Sequence, residues 1–205
     1  MKLGFFGGSF NPPTYAHMQL LKDAKNSLNL DKVYFVPVGD NYKKQGLVNE
    51  KHRYEMLKLM CGNEENIEVE GIELNNKNRI TAIQAFEMIK GKYSNEEIYF
   101  IMGADNFIKI PMWDSAEKLI KNFKYIIFRR DNINIEQEIT NNKLLQENKN
   151  NFKILNISKF VEYRSSIIRN LVQNKEYDKA KEYTKREIID YIKENNLYIL
   201  DKKDN

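Results

Sequence analysis

Apolar residues in this chain follow two rhythms that take turns from one end to the other. Short, nearly unbroken apolar runs stand at residues 3–6, 32–38 (KVYFVPV), 98–102 and 125–128. Each is too short for a helix and apolar on both sides, which predicts strands buried on both faces. Residues 67–72 (IEVEGI) alternate like a further strand, and 152–157 predict the last. Between them apolar positions recur at helical spacing: Leu20, Leu21, Ala24 and Leu28 within 16–28, and Tyr54, Leu57, Met60 and Cys61 within 52–61. Residues 80–89 and 116–123 read as helices in the same way. Strands taking turns with helices predict an α/β chain, a doubly wound, Rossmann-like parallel sheet. Ligands of such sheets sit beyond the C-terminal ends of the strands.

Two stretches break the rhythm. Residues 131–151 are rich in Asn and Gln and predict one exposed helix between polar loops, a surface insertion. From Ser165 onward the pattern is almost wholly helical, with Ile168, Leu171, Val172, Ile188, Ile189 and Ile192 on one face, a helical cap that returns to the sheet. The expected organisation is a single domain over 1–205, with a Rossmann-like core at 1–160 and a C-terminal helical subdomain at 161–205.

Composition narrows the partners. The 205 residues are 41% hydrophobic and 30% charged, ordinary for a chain with a substantial core. No apolar run approaches the ~18 residues of a membrane span, and the N-terminus carries one Lys and then a strand, so a cytoplasmic location without a membrane partner is expected. Cys61 stands alone, which excludes an internal disulfide and a cysteine metal cluster. A net charge of +4 suits polyphosphate substrates, whereas the aromatic–basic strand pattern of a nucleic-acid binder is missing. The oligomeric state is left open, a homo-oligomer included.

The candidate chemistry begins in the first seventeen residues, MKLGFFGGSFNPPTYAH. A buried strand leads into Gly7-Gly8-Ser9, where no side chain keeps the backbone from a ligand, and then through Phe10 and Asn11-Pro12-Pro13 into a helix start. The glycines form neither G-x-G-x-x-G nor a P-loop. Instead Thr14 and His17 fall three apart on a helix start, on one face and near unpaired N–H groups. A plain N-cap beside a surface histidine has the same spacing. The strand and glycine turn in front favour a phosphate-binding corner in which both side chains donate to a nucleotide.

GSFNPPT-x-x-H resembles the signature of the nucleotidyltransferase superfamily with the (H/T)-x-x-H motif, and within it the nicotinamide/nicotinate mononucleotide adenylyltransferases. Three further stretches carry the resemblance. PVGDNYKK, followed by His52-Arg53, places two lysines and an arginine near a helix N-terminus, a site for phosphate groups; the resemblance implies that Lys44 or Lys43 contacts phosphate and that the region of Tyr42 lines the dinucleotide site. Gly103-Ala104-Asp105 sets a carboxylate just past a strand end, where it accepts hydrogen bonds from ribose hydroxyls, and Trp113 offers a flat face that the family stacks on the pyridine ring. Ser165, Ser166 and Arg169 bring hydroxyls and a guanidinium to one anion; they match the family's I-S-S-T-x-x-R, with Arg164 in place of its first Ser. In a second departure, the aromatic or Thr-rich element after the strand near residue 72 is represented by Thr81 alone.

The resemblance implies transfer of the adenylyl group of ATP to the 5′-phosphate of nicotinate or nicotinamide mononucleotide, with release of pyrophosphate, in NAD biosynthesis. His17, Thr14 and Arg169 are the expected catalytic residues. Gly7, Gly8, Ser9, Phe10, His17, Gly103, Asp105, Ser165, Ser166 and Arg169 are expected to bind ATP, and Lys43, Lys44, Arg53, Thr81 and Trp113 the mononucleotide. Mg²⁺ would accompany ATP, held by phosphates and water rather than by protein ligands. Two alternatives remain on the residues alone: adenylyl or cytidylyl transfer to another phosphorylated small molecule, and a nucleotide-binding protein without turnover.

Overall fold

A computed structural model describes residues 1–42, 44–130 and 132–199. Six strands, β1 (Lys2–Gly8), β2 (Lys32–Pro37), β3 (Ile67–Val69), β4 (Glu97–Gly103), β5 (Lys124–Phe128) and β6 (Phe152–Leu155), form one sheet in the order β3-β2-β1-β4-β5-β6. Each neighbouring pair is parallel. β1 is central, with Leu3 opposite Lys32 of β2 on one side and Ile98 of β4 on the other. The strand order reverses here, and that is where such sheets bind ligands.

The unbroken apolar runs are explained by two core halves, one on each face. Leu3, Phe5, Tyr34, Val36, Phe100, Met102, Tyr125 and Ile127 face one half, and Phe6, Val33, Phe35, Tyr99, Ile101, Ile126 and Phe128 face the other. Successive side chains of a strand point to opposite faces, so a strand covered on both sides must be apolar at every position. Helices α1 (Tyr15–Leu28) and α2 (Glu50–Cys61) cover the second face. α3 (Ala82–Lys92), α4 (Ala104–Phe107) and α5 (Ala116–Asn122) cover the first.

Three sequence-based expectations are corrected. The strand expected at 67–72 stops at Val69, because Glu70 turns in to accept from Lys92 and Tyr93 (2.7 and 2.6 Å) and a turn at 71–74 follows. The helix expected from residue 80 starts at Ala82, with Thr81 as its N-cap. The polar stretch after Asp131, itself outside the described residues, holds two helices, α6 (Ile135–Asn141) and α7 (Lys143–Glu147). Asn142 divides them: its side chain accepts from the N–H groups of Leu144 and Leu145 and so starts a new helix where the old one ends. Ile135 and Leu145 are fully buried in the first core half, which makes the stretch part of the fold.

The C-terminal segment forms α8 (Ser165–Gln173), α9 (Tyr177–Ala180) and α10 (Arg186–Glu194). Ile168, Val172, Ile188, Ile189 and Ile192 are buried in the same core half as α1 and α2. No helix of the described residues is long and apolar enough to cross a membrane.

Gly4 sits where the second core half leaves no room for a side chain: a Cβ there would stand 2.8 Å from Leu30 Cδ1, 3.0 Å from Ile101 Cδ1 and 3.1 Å from Val33 Cγ1. Gly4→Val is expected to lower stability by about 1–3 kcal/mol through overpacking. An unchanged urea-unfolding midpoint would show that the sheet face yields without cost.

Candidate active site

A cavity of 620 Å³ opens at the C-terminal ends of β1 and β4. Gly7, Gly8 and Ser9 line it, as do Lys44 and Tyr42 from the loop after β2, Thr81 before α3, and Asp105 and Trp113 from the segment after β4. A Cβ on Gly7 would meet no atom within 4 Å, so the turn presents bare backbone to open space. On Gly8 a Cβ would come within 2.9 Å of the Phe10 ring. Phe10 holds a left-handed backbone (φ 44) and is 2% exposed. Burial against Phe6, Phe35 and His17 offsets that strain. Its side chain therefore belongs to the core beneath the turn and not to the cavity lining.

His17 is locked from behind. The Thr14 backbone N–H donates to His17 Nδ1 at 2.9 Å, and the Thr14 hydroxyl stands 2.9 Å from the same atom. In return Thr14 Oγ1 accepts from the His17 N–H, which completes a capping box. With Nδ1 accepting, the ring proton resides on Nε2. The ring packs edge-on against Phe10, with centroids 5.2 Å apart. Burial, followed by the charges of Arg130 and Lys44, holds His17 down to about 4. The side chain at neutral pH is thus a neutral imidazole with an Nε2–H donor. Thr14 is fully buried, with its N–H and hydroxyl both turned to the His17 ring, the position of an orienting residue.

The next three residues are gripped by the C-terminal helices. The backbone carbonyls of Asn11, Pro12 and Pro13 accept from Arg169 Nη1 (2.8 Å), Ser165 Oγ (2.7 Å) and Thr184 Oγ1 (2.9 Å). Asn11 is 4% exposed; its amide donates to Gly46 O, and its Oδ1 accepts from Val48 N–H and the Tyr198 hydroxyl. Arg169 and Ser165 therefore stand at the glycine corner, while Ser166 is exposed at the first turn of α8.

Of the basic group after β2, Lys44 reaches the corner, donating to Ser9 Oγ at 3.1 Å. Lys43 lies outside the described residues. Arg53 corrects the expectation of a phosphate ligand. It is fully buried and donates to the carbonyls of Val48 (2.9 Å), Ser9 (3.2 Å) and Val38 (2.7 Å), with Asp40 at 3.4 Å. It ties the loop after β2 to the glycine turn from inside.

At the other end of the cavity the Asp105 carboxylate folds back over Gly103, where a Cβ would approach Asp105 Oδ1 to 2.5 Å. Trp113 is half-buried, packed on one side against the first core half. Thr81 lines the cavity while its hydroxyl donates to Gln84 Oε1 at 3.0 Å. Several residues escaped the sequence reading. Arg130, two residues past β5, acts on His17; its position after a strand end was the available signal. Glu73 lines the cavity, and burial pushes its carboxyl up to about 7 against the pull of Arg53. Arg79 and Phe86 line it too, beside Tyr42.

Two outcomes are expected from this geometry. Nitrogen chemical shifts of His17 should report the Nε2–H tautomer at neutral pH and a titration midpoint near 4; a midpoint near the ordinary 6.5 would remove the burial argument. Because the folded value lies below the unfolded one, the contribution of His17 to stability is complete above about 6.5 and is lost as pH falls towards 4. Arg53→Leu should cost about 3–5 kcal/mol of stability, since it leaves three carbonyls and Asp40 without their partner. A wild-type unfolding midpoint would return Arg53 to consideration as a ligand.

The profile of the cytidylyltransferase-like family matches residues 5–171. A probable nicotinate-nucleotide adenylyltransferase of Clostridium botulinum is 30% identical over 199 residues, 96% of this chain and 98% of that protein. One from Carboxydothermus hydrogenoformans is 31% identical over the same shares. The Plasmodium falciparum nicotinic acid mononucleotide adenylyltransferase complexed with NaAD superposes with a TM-score of 0.78 at 25% identity, covering 96% of this chain and 97% of that one. A β1–glycine turn–His17 corner at the sheet's reversal point, joined to these full-length likenesses, means that the chain belongs to the cytidylyltransferase-like family and, within it, to the nicotinate-nucleotide adenylyltransferases.

Proposed function

We propose that this protein transfers the adenylyl group of ATP to the 5′-phosphate of a pyridine mononucleotide, nicotinate or nicotinamide, with release of pyrophosphate. The observation that carries the reading is His17: an imidazole held neutral, its proton placed on Nε2 by the Thr14 N–H, beside a bare glycine turn. The attacking phosphate is already an anion near neutral pH and needs no general base. The work left to the protein is alignment and stabilisation of charge on the non-bridging oxygens.

His17 Nε2–H then donates to the α-phosphate, above the amides of Gly7 and Gly8. With Nη1 given to Asn11 O, the remaining guanidinium N–H groups of Arg169 meet the β- and γ-phosphates, together with Ser166 and the Ser165 end of α8. Lys44, already over Ser9, draws the acceptor's phosphate to the same corner. Asp105 accepts from ribose hydroxyls, and Trp113 with Thr81 receives the pyridine ring. The donors of the corner are N–H groups, hydroxyls and guanidinium, which suit phosphate oxygens. A Mg²⁺ ion carried in with ATP would therefore keep phosphate oxygens and water as its ligands, and would supply charge neutralisation.

Pyrophosphate release should be seen with ATP and Mg²⁺ when either pyridine mononucleotide is added, and not without an acceptor. His17→Ala should lower turnover by about 10²-fold or more with little change in ATP affinity. Silence with both acceptors while ATP still binds would sink the pyridine reading. An undiminished variant would remove His17 from the reaction.

A further inference from the structure

The rim of the cavity is closed by two loops that touch each other. Asn41 Nδ2 donates to Asn76 O at 2.5 Å, and the Arg79 guanidinium carbon lies over the Tyr42 ring, 5.8 Å from its centroid. Both Arg79 and Tyr42 line the cavity, and Arg79 precedes Thr81 by two residues. Other arginines are committed elsewhere: Arg129 to Glu136, Arg53 to Asp40, Arg169 to Asn11. Among the described residues, no Asp or Glu oxygen comes within 4.0 Å of the Arg79 nitrogens, although Glu73, Asp105 and Asp114 line the same cavity.

We propose that Arg79 is a specificity-determining residue, its guanidinium set on the face of Tyr42 to meet a carboxylate on the acceptor's ring and so to favour nicotinate over nicotinamide mononucleotide. The assignment rests on the reading that the acceptor is a pyridine mononucleotide. A ring beneath the guanidinium covers one face and restrains its plane, and leaves the N–H edge for a two-pronged bond to a planar carboxylate. The two acceptors differ only at that group. A carboxylate offers two anionic oxygens to the fork, whereas a carboxamide offers one neutral oxygen and an NH₂ that faces donor with donor. The same cation therefore attracts one acceptor and rejects the other.

The test measures kcat/KM of wild type and Arg79→Gln with nicotinate mononucleotide and with nicotinamide mononucleotide, at saturating ATP. Arg79 is exposed, so the substitution leaves the core untouched; the KM for ATP and the unfolding midpoint serve as controls. The ratio of the two specificity constants should fall by about 10-fold or more in Arg79→Gln, through nicotinate alone. Tyr42→Leu, which removes the platform and keeps the charge, should move the ratio the same way by a smaller factor. A ratio that stays within about threefold of wild type overturns the assignment, whether both acceptors lose activity together, as for a contact with the shared phosphate, or neither does. A wild-type enzyme silent with both acceptors overturns the functional reading and this assignment with it. One that uses nicotinate mononucleotide, with an Arg79→Gln variant that keeps its preference, overturns the assignment alone.

Discussion

Three consecutive carbonyls, those of Asn11, Pro12 and Pro13, are each bound by a side chain of the C-terminal helical segment. Two of these residues are prolines, which have no N–H to offer a ladder, and all three are buried, so their oxygens need partners that no strand or helix provides. Arg169, Ser165 and Thr184 supply them. The segment that carries the chain from the glycine turn into α1 is thereby held from outside the sheet. Hydrogen bonds of this kind are worth about 0.5–1.5 kcal/mol each, more with a charged donor. Their larger consequence is positional, since the entry into α1 sets where His17 stands.

The corner concentrates positive charge around a side chain that carries none. Lys44 and Arg130 act on His17, and Arg169 is anchored on Asn11, six residues before His17 in sequence. In such surroundings a protonated imidazole is repelled, and burial adds to the repulsion. In the proposed reaction this divides the labour: the cations would attract anionic substrates, while the neutral imidazole would give a directed hydrogen bond. Arg53 belongs to neither role. Its guanidinium is an internal brace that satisfies carbonyls from the glycine turn and from the loop after β2 at once.

Burial and cross-linking fall off from the floor of that corner to the rim of the cavity. Asn11 and Arg53, beneath the glycine turn, are buried and cross-linked, whereas Tyr42, Arg79 and Met112 at the rim are exposed. A site built this way has a braced floor and a rim whose side chains can be replaced with little cost to the core. Tyr42, from the loop after β2, and Phe86, from α3, are among the aromatic residues that line the cavity.

The order of strands and helices, their burial on both faces and the glycine corner were legible in the sequence, because strand and helix periods and turn residues are local properties. Thr14-x-x-His17, the Lys43–Lys44 pair, Asp105, Trp113 and Arg169 stood out as candidates for the same reason: each lies in a motif at a strand end or helix start. What Thr14, Phe10 and Arg53 do was not legible. A buried Thr and an exposed one share the same N-cap signal, Phe10 looks like a loop residue until its ring is seen under Gly8, and Arg53 looks like a surface cation until three carbonyls surround it. Arg79 meets Tyr42, and Tyr198 meets Asn11, only across 37 and 187 residues of chain. Local physical chemistry decided the elements and the chemical inventory; burial and long-range hydrogen bonding, which exist only once the chain has closed on itself, decided which of those side chains line the cavity and which brace it from beneath.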